Sequence, residues 1–126
     1  VNNLAIEFLD SSRAFRPGDS IRVRALWLLE DDLESIEAIE VRLLWHTTGK
    51  GDTDLAVVAI ERIDQPGPHG AKELEIRVPD RPFSFSGKLV SLSWHLEIVL
   101  VPSQVAQTFD IVVSPSGDEI TLGGRG

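Results

Sequence analysis

Apolar and polar residues alternate with a period of two along most of this chain. Between Ile21 and Leu29 the residues Ile21, Val23, Ala25, Trp27 and Leu29 share one face, with Arg22 and Arg24 opposite. Ile39, Val41, Leu43 and Trp45 repeat the pattern against Glu40, Arg42 and His46, and Leu74, Ile76 and Val78 repeat it against Glu73, Glu75 and Arg77. The longest run sets Val90, Leu92, Trp94, Leu96, Ile98 and Leu100 against Ser91, Ser93, His95 and Glu97. Such strands have one dry and one wet face, the habit of antiparallel sheets. Weaker strands fit Leu4 to Phe8, Leu55 to Ile63 and Val105 to Val113, which makes about seven.

Turn chemistry separates the strands at Arg16-Pro17-Gly18-Asp19, Thr48-Gly49-Lys50-Gly51-Asp52, Gln65-Pro66-Gly67-Pro68 and Ser84-Phe85-Ser86-Gly87. Short strands at this spacing predict an all-β, two-sheet antiparallel sandwich. Asp31 to Leu44 is ambiguous, because Leu33, Ile36, Glu40 and Leu43 also fall at helical spacing. The continued alternation through Val41, Leu43 and Trp45 favours a loop followed by a strand. The three tryptophans all occupy inward positions and are expected to form the centre of the core.

With 126 residues the chain suits one domain, assigned here to 1–122, with Gly123-Gly124-Arg125-Gly126 as a flexible tail. Twenty acidic against 12 basic residues leave a net charge of -8, a field that repels phosphate backbones and anionic lipid. Nucleic acid and membrane surfaces are therefore not expected partners. No apolar run approaches the ~18 residues of a spanning helix. The absence of cysteine removes thiol chemistry and fits a reducing, cytoplasmic setting. The absence of methionine points to a processed chain or to a part of a longer one.

Catalytic motifs are lacking: there is no nucleophile elbow, no glycine-rich phosphate loop and no paired-histidine protease signature. His46 and His95 each follow an inward tryptophan, so both should face outward, close together if their strands pair. Two imidazoles fall short of the three or four protein ligands zinc takes, so neither a metal nor a cofactor is expected. The acidic groups Glu30-Asp31-Asp32 and Asp52-Thr53-Asp54 lack a calcium-loop pattern and read as solvated turns. Lys50-Gly51-Asp52 is a tripeptide that adhesion receptors recognise, but three residues read first as a turn. Ser84, Ser86, Ser91, Ser93, Asp110 and the histidines contain the parts of a hydrolase triad, yet nothing in their spacing brings them together. No enzymatic activity is expected.

Two stretches together resemble one lobe of the arrestin-like superfamily. One is Phe15-Arg16-Pro17-Gly18-Asp19-Ser20-Ile21-Arg22-Val23, followed by 36–43. The other is Val78-Pro79-Asp80-Arg81-Pro82-Phe83-Ser84-Phe85-Ser86-Gly87, leading to Leu89 through Leu96 with Trp94 at its centre. The chain has length for a single lobe and lacks the Pro-Pro-x-Tyr tail motif, so it is nearer to stand-alone or bacterial sporulation-control relatives than to receptor arrestins. The resemblance implies an immunoglobulin-like sandwich that scaffolds or adapts, without a catalytic centre.

These readings lead to a non-catalytic interaction or scaffold domain whose partner is another protein, a homo-oligomer included, recognised by an edge strand or by loops. Val57, Val58, Ile60, Val99 and Val101 cannot all face one core and are the expected interface. Two alternatives stand beside this one. A carbohydrate- or small-ligand-binding sandwich would use Phe83 and Phe85 as its platform, and a structural domain of a longer chain would need no site.

Overall fold

The computed structural model describes residues 2–10, 12–30, 33–49, 53–82, 84–86, 90–115 and 120–121, with the side chains of 85, 86, 90, 120 and 121 left aside. The strands are β1 (Asn3–Phe8), β2 (Ala14–Phe15), β3 (Ser20–Leu28), β4 (Ala38–Gly49), β5 (Leu55–Asp64), β6 (His69–Arg77), β7 (Phe85–Ser86), β8 (Val90–Val101), β9 (Ala106–Val113) and β10 (Ile120–Thr121). All seven strands expected from the alternation are present; three two-residue strands join them. The ambiguous 31–44 stretch contains one 3-10 turn, Leu33–Ser35, and then β4. Asp31, Asp32 and the Lys50-Gly51-Asp52 tripeptide lie outside the described residues, as does the 123–126 tail.

Two sheets share the strands. The smaller has the order β1-β3-β6, antiparallel throughout. The larger runs β10-β7-β8-β4-β5, with β9 also paired to β8 and β2 paired to β9. The expectation of purely antiparallel pairing is corrected at two places, because β2 joins β9 and β10 joins β7 in parallel. One of the two sheets curls into a half-barrel. The alternation explains why the sheets face each other: Ile21, Val23, Ala25 and Trp27 of β3 meet Ile39, Val41 and Leu43 of β4 and Trp94, Leu96 and Ile98 of β8 in one core.

The Pro17-Gly18 turn that launches β3 closes locally. The Asp19 N–H donates to the Arg16 carbonyl, the Asp19 carboxylate accepts from the Arg16 N–H at 2.8 Å, and Gly18 takes φ +86°. That left-handed conformation is cheap only for glycine. Outward-facing Arg22 and Arg24 of β3 are occupied by carboxylates across the small sheet. Arg22 meets Asp10 at 2.7 Å, and Arg24 meets Glu7 at 3.1 Å and Glu73 at 2.9 Å.

The tryptophans hold different stations. Trp94 is fully buried and its indole N–H donates to the Pro82 carbonyl at 3.0 Å. Trp27 donates to the Pro66 carbonyl at 3.1 Å, while Trp45 is only partly buried at the margin of the core. The Trp27 ring covers Gly70, its partner across the β3–β6 ladder. A Cβ at Gly70 would lie 2.5 Å from Trp27 Cζ2 and 2.9 Å from Cε2. Gly70→Ala is therefore expected to destabilise by about 1–3 kcal/mol, the usual cost of overpacking. Urea unfolding checks this, and an unchanged midpoint would mean that the ring swings aside freely.

Candidate functional site

The outer face of the large sheet carries the chemistry of this molecule. On β4 the residues opposite the core are Ala38, Glu40, Arg42, Leu44 and His46, and on β8 they are Val99, Glu97, His95 and Ser93. The β4–β8 register places Leu44 against His95 and His46 against Ser93, so the two histidines are diagonal neighbours. The β8–β9 register sets His95 directly against Asp110. These placements create a continuous array. His95 Nδ1 lies 2.8 Å from Asp110 Oδ1, and His95 Nε2 lies 2.8 Å from His46 Nδ1, with the two rings 16° from parallel.

Asp110 settles the tautomer. A carboxylate only accepts, so the neutral His95 ring carries its proton on Nδ1 and presents a lone pair at Nε2. His46 Nδ1 then donates to it. The base-and-orienter half of a hydrolase triad is thus assembled, which strand alternation alone does not reveal. Its outer nitrogen faces an imidazole instead of a serine oxygen.

Beside His95 the large sheet splits. Pairing of β9 to β8 stops at Ile111 and Trp94, β8 goes on to pair with β7, and β9 pairs with β2. The opening is a cleft of about 270 Å3 lined by Ser84, Ser93, His95 and Asp110 among others. His95 and Ser93 thus face outward but border a cleft, because the divergence of β7 and β9 opens the ladder. Ser84 is buried and its hydroxyl accepts from the Val113 N–H at 3.0 Å, a structural task.

One turn further along the same face lies an ionic cluster. Arg42 donates from Nε and Nη2 to Glu40 Oε1 at 2.9 and 2.6 Å, and Arg62 donates to Glu40 Oε2 at 3.1 Å. Arg62 also binds Asp64 at 2.7 Å, and Arg42 reaches Gln104 at 3.4 Å. The Arg42 hydrogen bond, partly opposed by burial, holds the Glu40 carboxyl below the usual carboxylate range. Asp64, and then Glu40, hold the Arg62 guanidinium proton more firmly than usual.

The second feature is β5, which closes one edge of the large sheet. Leu55 is 66% exposed, Val57 42%, Val58 39% and Ile60 52%. The β4–β5 register shifts between Leu43 and Leu44, leaving Val58 as an extra residue opposite neither. This bulge is why the alternation weakens at Val57-Val58. Only Ile63 of β5 is buried, since the three-stranded sheet is too narrow to cover this strand.

No family model and no curated protein matches the chain. Among solved structures it is similar to a β-glucosidase from Listeria innocua in complex with gluconolactone, at 12% identity over 94% of this chain with a TM-score of 0.46. The same enzyme with glucose matches at 12% identity over 94% of this chain with a TM-score of 0.42. The chain spans 16% of the length of each of those enzyme chains. Northeast Structural Genomics Consortium target SoR45 matches at 14% identity, over 92% of this chain and 87% of its own, with a TM-score of 0.22.

The expected interface residues are dispersed over the fold. Val57, Val58 and Ile60 lie exposed on β5, and Val101 is half-buried at the end of β8. Val99 is corrected: it is 1% exposed. It sits on the outer face between Glu40 and Ala106. Leu55 belongs to the exposed strip and was not expected there, although its place at the strand start beside Asp54 was a usable signal. Of the proposed sugar platform, Phe83 and the Phe85 side chain lie outside the described residues. No aromatic side chain is among the exposed large hydrophobics of the described residues. The described residues contain no helix long and apolar enough to cross a membrane.

Proposed function

We propose that this domain is a non-catalytic protein-interaction module that receives an extended segment of a partner protein along the free edge of β5. The observation that carries the reading is the run Leu55 to Ile60, an uncharged stretch of edge strand with four large apolar side chains exposed. Edges of this kind pair with any available strand, and natural proteins blunt them with charge unless the edge is used. Backbone hydrogen bonds would supply affinity, and the Leu55, Val57 and Ile60 side chains would supply selectivity. An antiparallel partner strand would place apolar residues opposite Leu55 to Ile60 and basic residues opposite Glu61 and Asp64, favoured by the net charge of -8.

The strand order, β1-β3-β6 against β5-β4-β8-β9, supports an immunoglobulin-like reading of the sandwich. The resemblance of the 15–23 and 78–96 stretches to an arrestin lobe agrees with an adapting or scaffolding role. Selection of peptides against the immobilised domain tests the proposal. Selected sequences are expected to alternate apolar residues, to carry basic residues at their N-terminal half, and to perturb the Leu55–Asp64 amides in NMR spectra. A Val57→Lys, Ile60→Lys variant should bind them at least tenfold more weakly, while Leu28→Lys on the other sheet should not. Peptides that map to the loops, or self-association through β5, would overturn this reading.

A further inference from the structure

We propose that His46 and His95 chelate a late first-row divalent cation, Cu(II) foremost, with Asp110 as the outer carboxylate that orients His95. Three features converge on this reading. His95 Nε2 and His46 Nδ1 are 2.8 Å apart, the separation of two adjacent nitrogens each about 2.0 Å from one metal at a right angle. Metal-bound histidines almost always give their second ring N–H to a carboxylate or carbonyl, and Asp110 takes that N–H from His95 at 2.8 Å. Among the described residues His46 has no hydrogen-bond partner other than His95, so no second hydrogen bond opposes a turn of its ring toward a shared ion.

The cation sits to one side of the line joining the two nitrogens, and the proton that bridges them has to leave. In the metal-free array His46 carries its proton on Nδ1, aimed at the His95 lone pair. Binding moves that proton through solvent to His46 Nε2, so both facing nitrogens present lone pairs and no proton is gained or lost overall. His95 needs no change of tautomer, because Asp110 already holds it. Cu(II) suits two cis imidazoles because its tetragonal coordination accepts water at the remaining positions, and it heads the affinity order of these ions. Zinc, which takes three or four protein ligands, should bind more weakly. The cleft beside His95 and the exposure of Asp110 leave room for those waters.

Titration of the purified domain with CuCl2 in a non-coordinating buffer at neutral pH tests the site. One equivalent should bind, with nitrogen hyperfine splitting from two imidazoles in the electron paramagnetic resonance spectrum. His46→Gln and His95→Gln should each weaken binding at least tenfold, and exposed His69→Gln should leave it unchanged. Asp110→Asn is expected to weaken binding by about tenfold, and to relax the His95 tautomer in ring-nitrogen NMR spectra. Should a variant unfold, the wild-type protein still decides the matter. Substoichiometric Cu(II) should broaden His46 and His95 together and spare His69. Single-nitrogen spectra, or equal broadening of all three histidines, would show independent surface imidazoles and overturn the proposal.

Discussion

Trp94→Ala is expected to remove about 3–5 kcal/mol of folding stability. Trp94 is completely buried, lies between Trp45 of β4 and Ile111 of β9 on the ladder, and anchors the Pro82 carbonyl through its indole N–H. Truncation would leave a cavity at the junction of the two sheets, and would orphan a carbonyl. Against a total of about 5–15 kcal/mol for a domain, that loss is between a fifth and the whole of the stability. Trp45→Ala should cost clearly less, because Trp45 is only partly buried. Urea unfolding followed by circular dichroism would measure both. A loss below about 1 kcal/mol at Trp94 would mean the core is organised elsewhere.

Glu40→Gln is expected to cost about 1–3 kcal/mol at neutral pH and to flatten the acid side of the stability profile. Glu40 is 13% exposed and accepts from both Arg42 and Arg62. Glutamine keeps the shape but loses the charge that answers two guanidinium groups. Because the folded carboxyl is held below its ordinary value, the unfolded chain binds the proton more readily. The contribution is therefore whole above the unfolded value of about 4.3, and it is lost as pH falls through the lower folded value. The difference in stability between wild type and variant should hold from pH 7 down to about the unfolded value of 4.3 and shrink only as pH falls below it. A difference that stayed constant to strongly acidic pH would show that the Glu40 charge is not the source.

Much of this architecture was legible from residue order. The inward sets Ile21-Val23-Ala25-Trp27, Ile39-Val41-Leu43 and Trp94-Leu96-Ile98 are those the structure buries. Alternation reports a physical requirement: a half-covered strand must turn every second side chain to the core. The prolines and Gly18 marked the breaks for an equally local reason, fixed φ and the missing N–H on one side, free φ on the other. What alternation could not convey is which outward residues become neighbours. His46 and His95 depended on β4 pairing with β8 in one particular register, and Asp110 came from a third strand. Val99 shows the converse, for an outward valine flanked by Glu40 and Ala106 on the neighbouring strands is buried.

By itself the sequence determined an all-β chain, the faces of its main strands, the places where they stop and an acidic surface, because each follows from a residue and its near neighbours. Tertiary structure alone decided the curl of one sheet, the split beside His95, the exposure of β5 and the junction of His46, His95 and Asp110. Those features depend on register and sheet order, set by the summed packing of residues far apart in the chain, and no local pattern carries that sum.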